Sequence, residues 1–170
     1  MSGPRAGSFG LRIGQGFDVH RFSSDTARRL VLGGVTIDGG QALEGHSDAD
    51  VVCHSLADAL LGATGLGDIG GHFPETDPAW EGASSLELLG RVVSMLDAEG
   101  ARALNADCTI VCERPRLAEH TGEMARRLTS ALGAPVSVKA KRAEGLGALG
   151  RAEGIACLAA TIVECRTEDR

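Results

Sequence analysis

Tyrosine is absent from the chain, tryptophan occurs once and phenylalanine four times. So few rings offer no platform on which the bases of a single-stranded nucleic acid would stack. No apolar run approaches the roughly 20 residues that span a bilayer. Met1 to Gly10 is small and polar and lacks the apolar stretch of a secretory leader. No Cys-x-x-Cys pair occurs among the five cysteines, Cys53, Cys108, Cys112, Cys157 and Cys165. An odd number, three of them in apolar stretches, reads as reduced thiols. An excess of cations is also missing, since the formal charge is −6. That argues against a general nucleic-acid binder, although it leaves room for a local basic pocket. Neither nucleic acid nor a membrane is an expected partner, and the expected compartment is the cytoplasm. The 170 residues suit one compact domain able to bury a core without disulfides or a structural metal.

Hydrophobic periodicity and turn residues lay out the chain. Met1 to Gly10 reads as a disordered extension, and residues 11–165 as one domain. Leu11 to His20 reads as a strand interrupted by Gly14 and Gly16, and Leu30 to Ile37 as a second strand ended by Asp38-Gly39-Gly40. Ser47 and Asp50 have near-capping-box spacing and open a helix with Val52, Leu56, Ala59 and Leu60 on its apolar face. Gly62, Gly65 and Gly67 end it. Asp68 to Gly82 is a loop long enough to be functional. Ser84 and Glu87 make a second capping box, before a helix that stops at Gly100. Asp107 to Glu113 alternates as a strand, Pro115 to Leu132 is a helix, Val136 to Ala140 a strand, Glu144 to Gly154 a Gly-rich turn and Ile155 to Val163 a last strand. The layout is α+β, with one mixed sheet covered by helices on one face. A second subunit is the economical cover for the other face.

Asp18 and His20 are two apart on a strand and share a face. His54 lies one helical turn from both Asp50 and Asp58, either of which can orient its imidazole. One Asp and two His leave an open fourth position, the usual form of a catalytic zinc site. From spacing alone, a strand-end His and a satisfied helix His fit equally well. Gly45-His46-Ser47-Asp48-Ala49-Asp50 sits at a helix N-terminus, where backbone N–H groups favour an anion, but plain capping explains it as well. Asp68 suits a substrate hydroxyl or a surface turn. Lys139 to Arg151 packs cations and glycines around Glu144, which suits phosphate with a hard cation, or a solvated basic hairpin. His72 and His120 have no partner in the sequence and read as surface or structural residues.

The segments Arg12-Ile13-Gly14-Gln15-Gly16-Phe17-Asp18-Val19-His20, Gly45-His46-Ser47-Asp48-Ala49-Asp50 with His54, Leu66-Gly67-Asp68-Ile69-Gly70, Phe73-Pro74-Glu75-Thr76-Asp77-Pro78, Glu144-Gly145-Leu146-Gly147 and Gly150-Arg151-Ala152-Glu153-Gly154-Ile155-Ala156 follow in that order. Together they resemble the 2-C-methyl-D-erythritol 2,4-cyclodiphosphate synthase family of the non-mevalonate isoprenoid pathway, over residues 12 to 164. The resemblance implies a homotrimer with active sites between subunits. It implies conversion of 4-diphosphocytidyl-2-C-methyl-D-erythritol 2-phosphate into the cyclic diphosphate and CMP, a phosphorus–oxygen lyase reaction. Zn²⁺ would sit on Asp18, His20 and His54, and Glu144 would help hold Mg²⁺ or Mn²⁺ between the phosphates. His46 and Ser47 would contact the erythritol phosphate region, His46 also supporting the transition state. Asp68, Ile69, Gly70, Phe73, Pro74, Glu75, Thr76 and Asp77 would bind the methylerythritol. Cys112, Glu113, Arg114, Pro115, Arg116, Leu117 and Ala118 would line the cytidine pocket from the neighbouring subunit. Phe17, Arg151 and Glu153 would lie at a central apolar channel able to take an isoprenoid phosphate.

The resemblance implies a reaction in which the substrate's own 2-phosphate attacks its β-phosphorus, which needs no protein nucleophile. That agrees with the lack of a recognisable Ser-His-Asp or Cys-His pair. The sequence departs from the family pattern at Lys141-Arg142-Ala143, where three threonines are common, so Arg142 stands at a phosphate-contacting position. Ala148 stands where phenylalanine is frequent. Lys141, Ala143, Ala148 and Arg151 remain expected substrate neighbours. The alternative is a non-catalytic relative that binds metal and nucleotide or an isoprenoid phosphate.

Overall fold

A computed structural model describes residues 9–166. The extension expected over Met1 to Gly10 lies outside the described residues except for Phe9 and Gly10, which already belong to the first strand. The elements in chain order are β1 (Phe9–Arg21), β2 (Leu30–Leu32), β3 (Val35–Ile37), α1 (Val51–Thr64), α2 (Ile69–His72), a 3-10 turn (Pro78–Trp80), α3 (Ser85–Ala98), β4 (Ala101–Val111), α4 (Thr121–Leu132), β5 (Val136–Lys141), α5 (Gly147–Gly150) and β6 (Gly154–Arg166). Among the described residues no helix is long and apolar enough to cross a membrane.

The main sheet has the order β1-β6-β4-β5. β1 and β6 are antiparallel over their whole length, from Phe9 opposite Arg166 to Arg21 opposite Gly154. β4 is antiparallel to β6 and parallel to β5, which makes the sheet mixed as expected. A parallel pair needs a crossover, and α4 supplies it between β4 and β5. The helices cover one face. Ile155, Cys157, Ala159, Thr161 and Val163 of β6 are buried beneath them. On the other face Leu11, Ile13, Phe17 and Val19 are 51–80% exposed, as odd-numbered strand neighbours must be if Gly14 and Gly16 point inward.

The two inward glycines set the spacing of the layers. A Cβ on Gly14 would fall 1.8 Å from the carbonyl oxygen of Ala59, and one on Gly16 would fall 1.8 Å from that of Ser55. The α1 backbone therefore lies directly on β1. Almost the whole circumference of α1 is buried, from Val51 to Ala63, rather than the single apolar face expected.

Several expected boundaries move. Leu30 to Ile37 is not one strand: Gly33 and Gly34, both at positive φ, turn it into a β2–β3 hairpin. Ser47 does not open α1. Ala49 sits at φ 58, and the buried Asp50 is the cap, accepting from the N–H groups of Val52 at 3.0 Å and Cys53 at 3.2 Å. The same carboxylate accepts from Gly33 at 2.8 Å and Gly34 at 2.7 Å, so it ties α1 to the hairpin. Ser84 occupies the N-cap position of α3 but makes no side-chain capping bond. Asp68 to Gly82 is not wholly loop, since it holds α2 and the 3-10 turn. β4 starts at Ala101, earlier than the alternation at Asp107 suggests. The helix expected from Pro115 begins only at Thr121. Leu117 is buried, and pinning it to the core holds residues 113–120 as bends and a turn.

Gly16→Ala is expected to destabilise the protein by roughly 3 kcal/mol, because backbone rather than a flexible side chain must yield. A lowered urea midpoint checks this. An unchanged midpoint would mean that α1 does not rest on β1 as described.

Candidate metal centre

The strand period brings Gly14, Gly16, Asp18 and His20 to the same face of β1. The glycines draw α1 close, and His54, next to the Ser55 that touches Gly16, is carried over Asp18. Asp18 Oδ2 lies 3.1 Å from His20 Nε2 and 3.0 Å from His54 Nδ1. One ligand atom from each of the three residues lies within 4.8 Å of the others.

The far side of each imidazole fixes its tautomer. His20 Nδ1 contacts the carbonyl oxygen of Glu44, which can only accept, so Nδ1 carries the proton. Ser85 Oγ donates to Asp48. It is then the acceptor for His54 Nε2 at 2.8 Å, with Ser47 Oγ at 3.2 Å beside it. In the neutral tautomers, His20 Nε2 and His54 Nδ1 therefore aim lone pairs at a carboxylate oxygen. That convergence is satisfied only by a proton or a cation, and a divalent metal fits the two-nitrogen, one-oxygen set. The electrostatics agree. Burial pushes the Asp18 carboxyl up, but hydrogen bonds and charge from the two histidines hold it well below the usual carboxylate range. Burial pushes His20 down, and is outweighed by the hydrogen bond and charge of Asp18, helped by the Glu44 carbonyl.

The triad opens into a cleft of ≈ 150 Å³ whose walls include His46, Ser47, Ile69, Gly70, Phe73 and Glu75 among the expected residues. Asp58, Trp80 and Leu88 complete it. Phe73 and Trp80 meet edge to face at 5.1 Å and form its apolar wall. Asp68 caps α2 through the Gly71 N–H at 2.8 Å. Asp77 caps the 3-10 turn, and its carbonyl accepts from His46 Nε2 at 3.2 Å, with Pro74 and Thr76 on the same loop. Asp50 and Asp58, expected to orient His54, do neither. Asp50 is the helix cap, and Asp58 accepts from the Ile69 N–H at 2.8 Å. Ser85 and Asp48 hold the imidazole instead. Ser85 lies 31 residues from His54, and no local sequence signal marks it.

A second cleft, of ≈ 460 Å³, shares no residue with the first. Cys112, Glu113, Pro115, Arg116, Leu117, Ala118, Lys141 and Arg142 are among its walls. Arg114 faces a neighbouring groove with Pro115. Glu144 is exposed in a tight turn at φ 52 and is not brought to the triad within one chain. Ala143 begins that turn and Ala148 is exposed on α5. Arg151 pairs with Glu153 at 2.6 Å.

Comparison with known proteins gives this geometry a family. A model described as the YgbB family matches residues 11–164. The 2-C-methyl-D-erythritol 2,4-cyclodiphosphate synthase of Symbiobacterium thermophilum is 54% identical over 159 residues, covering 92% of this chain and all of the relative. Among solved structures, the bifunctional IspDF from Campylobacter jejuni superposes with a TM-score of 0.87 at 38% identity, over 93% of this chain and 43% of that one. The IspF of Plasmodium falciparum, solved as a CDP complex, superposes at 0.79 with 30% identity, over 93% and 98% of the two chains. The chain belongs to the YgbB family, the family of the 2-C-methyl-D-erythritol 2,4-cyclodiphosphate synthases.

Proposed function

We propose that the chain converts 4-diphosphocytidyl-2-C-methyl-D-erythritol 2-phosphate into 2-C-methyl-D-erythritol 2,4-cyclodiphosphate and CMP. The observation that carries this reading is the convergence of three ligand lone pairs, from Asp18, His20 and His54, in a cleft of a chain so similar to synthases of that name. In the reaction an oxygen of the 2-phosphate forms a bond to the β-phosphorus. The bond from that phosphorus to the bridging oxygen breaks, and CMP leaves with the oxygen and its electron pair. Attack within one molecule depends on alignment and charge neutralisation more than on proton transfer.

Each residue has a task in that scheme. Asp18, His20 and His54 would hold Zn²⁺, and Glu144 would hold Mg²⁺ or Mn²⁺. When bound, these ions polarise phosphoryl oxygens and offset the charge that gathers in the transition state. The Glu44 carbonyl and the Ser85–Asp48 pair keep both imidazoles in the ligating tautomer. His46 is tied to the Asp77 carbonyl and so couples the metal side of the cleft to the loop that receives the methylerythritol. Ile69 and Phe73 face its carbon skeleton, and Asp68 and Glu75 its hydroxyls. Ser47 supports His54 at the edge of the phosphate site.

The active enzyme is a homotrimer in this reading. Two features support it: the apolar outer face of β1 needs a cover, and the two clefts of one chain are separate. The second cleft then receives the cytidine for the metal centre of the next subunit, in keeping with a relative solved with CDP. Phe17 and Arg151 face the central channel, where an isoprenoid phosphate fits. The free cysteines suit the reducing cytoplasm.

Incubation with the cytidine-diphosphate substrate, Zn²⁺ and Mg²⁺ is expected to release CMP and give a cyclic diphosphate by phosphorus NMR. Intact substrate with folded, zinc-loaded protein would refute the reading. Asp18→Asn and His54→Ala are expected to lose zinc and turnover together. Ser85→Ala is expected to weaken zinc binding about 10- to 100-fold by releasing the imidazole, with little change in fold by circular dichroism. Zinc must displace the proton that Asp18 stabilises on His20, whose pKa lies above the ordinary histidine value. Apparent zinc affinity should therefore fall by about tenfold per pH unit as the pH drops through and below that pKa. A competition titration with a chelator reads the slope. A flat profile there would show that no proton is displaced.

A further inference from the structure

One short strap, residues 44–48, serves both imidazoles of the metal centre. At its start the carbonyl of Glu44 accepts from His20 Nδ1. Gly45 lies against the same ring, where a Cβ would fall 3.0 Å from His20 Cε1. Further along, Ser47 Oγ stands 3.2 Å from His54 Nε2. A small shift of the strap is therefore felt by both rings. Backbone hydrogen bonds hold much of it. The Glu44 N–H donates to the Arg21 carbonyl at 2.9 Å, the Gly82 N–H to the His46 carbonyl at 2.9 Å, and the Asp48 N–H to the Ala83 carbonyl at 3.1 Å. The Ser47 carbonyl is held by a side chain instead, with Arg28 Nη2 donating to it at 2.5 Å.

The fold places Arg28 for that task. It lies in the loop between β1 and β2, two residues before the buried Leu30. The loop behind it is folded on itself: Ser23 Oγ accepts from the Asp25 N–H at 3.1 Å, and Asp25 accepts from the Ala27 N–H at 2.9 Å. The half-buried Arg28 thus reaches from a fixed base to a buried residue, Ser47. A charged donor makes a strong hydrogen bond, and more so where water is kept away. Arg21 gives the contrast. Its pair with Glu44 grips the same strap, but the two side chains are 75% and 50% exposed, and exposed pairs contribute little. We propose that Arg28 is a positioning residue of the metal centre: it fixes the Ser47 backbone, so that the strap keeps His20 and His54 aimed at the metal. Arg28 is not among the residues that wall the cleft, and it acts through Ser47. The inference rests on the reading of Asp18, His20 and His54 as metal ligands.

Two measurements on the full-length protein test this. Competition with a chelator reads the zinc Kd, and the visible absorption of the cobalt(II)-substituted protein reads the geometry of its ligands. Arg28→Ala is expected to raise the zinc Kd about tenfold and to alter the cobalt spectrum, while the thermal melt of the metal-free protein changes little. The contact uses a single charged donor, which a lysine also offers, so Arg28→Lys should recover most of the loss. Should Arg28→Ala unfold, Arg28→Met keeps the stem, drops the donor and carries the same expectation. Wild-type zinc affinity and cobalt spectrum in Arg28→Ala would overturn the inference alone, whatever the melt shows, since Arg28 would then serve only the fold. Tighter zinc binding by Arg28→Ala would also overturn it, because Arg28 would be acting through its charge. So would an Arg28→Lys variant no better than Arg28→Ala. A wild-type protein that binds no zinc would overturn the metal-centre reading and this inference with it.

Discussion

The contact between the backbone of α1 and the inner face of β1 is the constraint on which the rest depends. Gly14 and Gly16 leave no room for a Cβ, and the carbonyls of Ala59 and Ser55 fill the space. The small residues that flank them in the sheet, Ala159 and Thr161, extend the same shallow floor. Because α1 can lie so low, it is buried almost all round and becomes the centre of the core. It also carries His54 to within 3.0 Å of Asp18. Metal–ligand distances tolerate only about 0.2 Å. A helix lifted by one methyl group would therefore break the site before it broke the fold. The packing of the core and the geometry of the site are set by the same two missing side chains.

The second anchor is Asp50. A fully buried carboxylate is costly, and burial pushes its pKa up against the pull of its donors. Four backbone N–H groups, from Gly33, Gly34, Val52 and Cys53, share its two oxygens. Those donors join the start of α1 to a hairpin far back in the sequence. Asp50 thereby fixes the helix end and leaves Asp48 and Ser47 available to His54 through Ser85. The acidic run from His46 to Asp50 is thus divided by task, with Asp50 serving the fold and Ser47 and Asp48 serving the imidazole.

This division explains what was legible in the sequence. Asp18 and His20 were readable because strand period alone places them on one face. Spacing alone left the triad open, and it became legible as a set only through the family resemblance carried by Gly45-His46-Ser47-Asp48-Ala49-Asp50 with His54; the structure brings the three residues together. The wrong cap was the natural choice, because Ser47 and Asp50 have capping spacing and nothing local reveals that Ala49 takes a positive φ. Asp50 and Asp58 were plausible orienters at one helical turn, whereas Ser85 acts across 31 residues and is invisible to any windowed pattern. The false helix start at Pro115 has the same origin. Local rules favour proline in a first turn, but the buried Leu117 ties that stretch to the core.

Net charge was the least informative property, because the two clefts have opposite character. The formal charge of −6 is spread over the chain, yet Arg116, Lys139, Lys141 and Arg142 wall one cleft while Asp18, Asp58 and Glu75 stand in the other. The acidic cleft converges lone pairs on a point that calls for a cation, and the basic cleft presents donors that call for an anion. A threonine hydroxyl at position 142 would offer one short donor there. An arginine offers more donors and a charge, but an unanchored arginine carries about 2 kcal/mol of rotamer entropy that ordering must overcome. Glu113 removes much of that freedom, and its own pKa is held down by the arginine in return. The Arg142–Glu113 pair is best understood as one unit: the glutamate makes the longer side chain usable at a position where a short one would need no support.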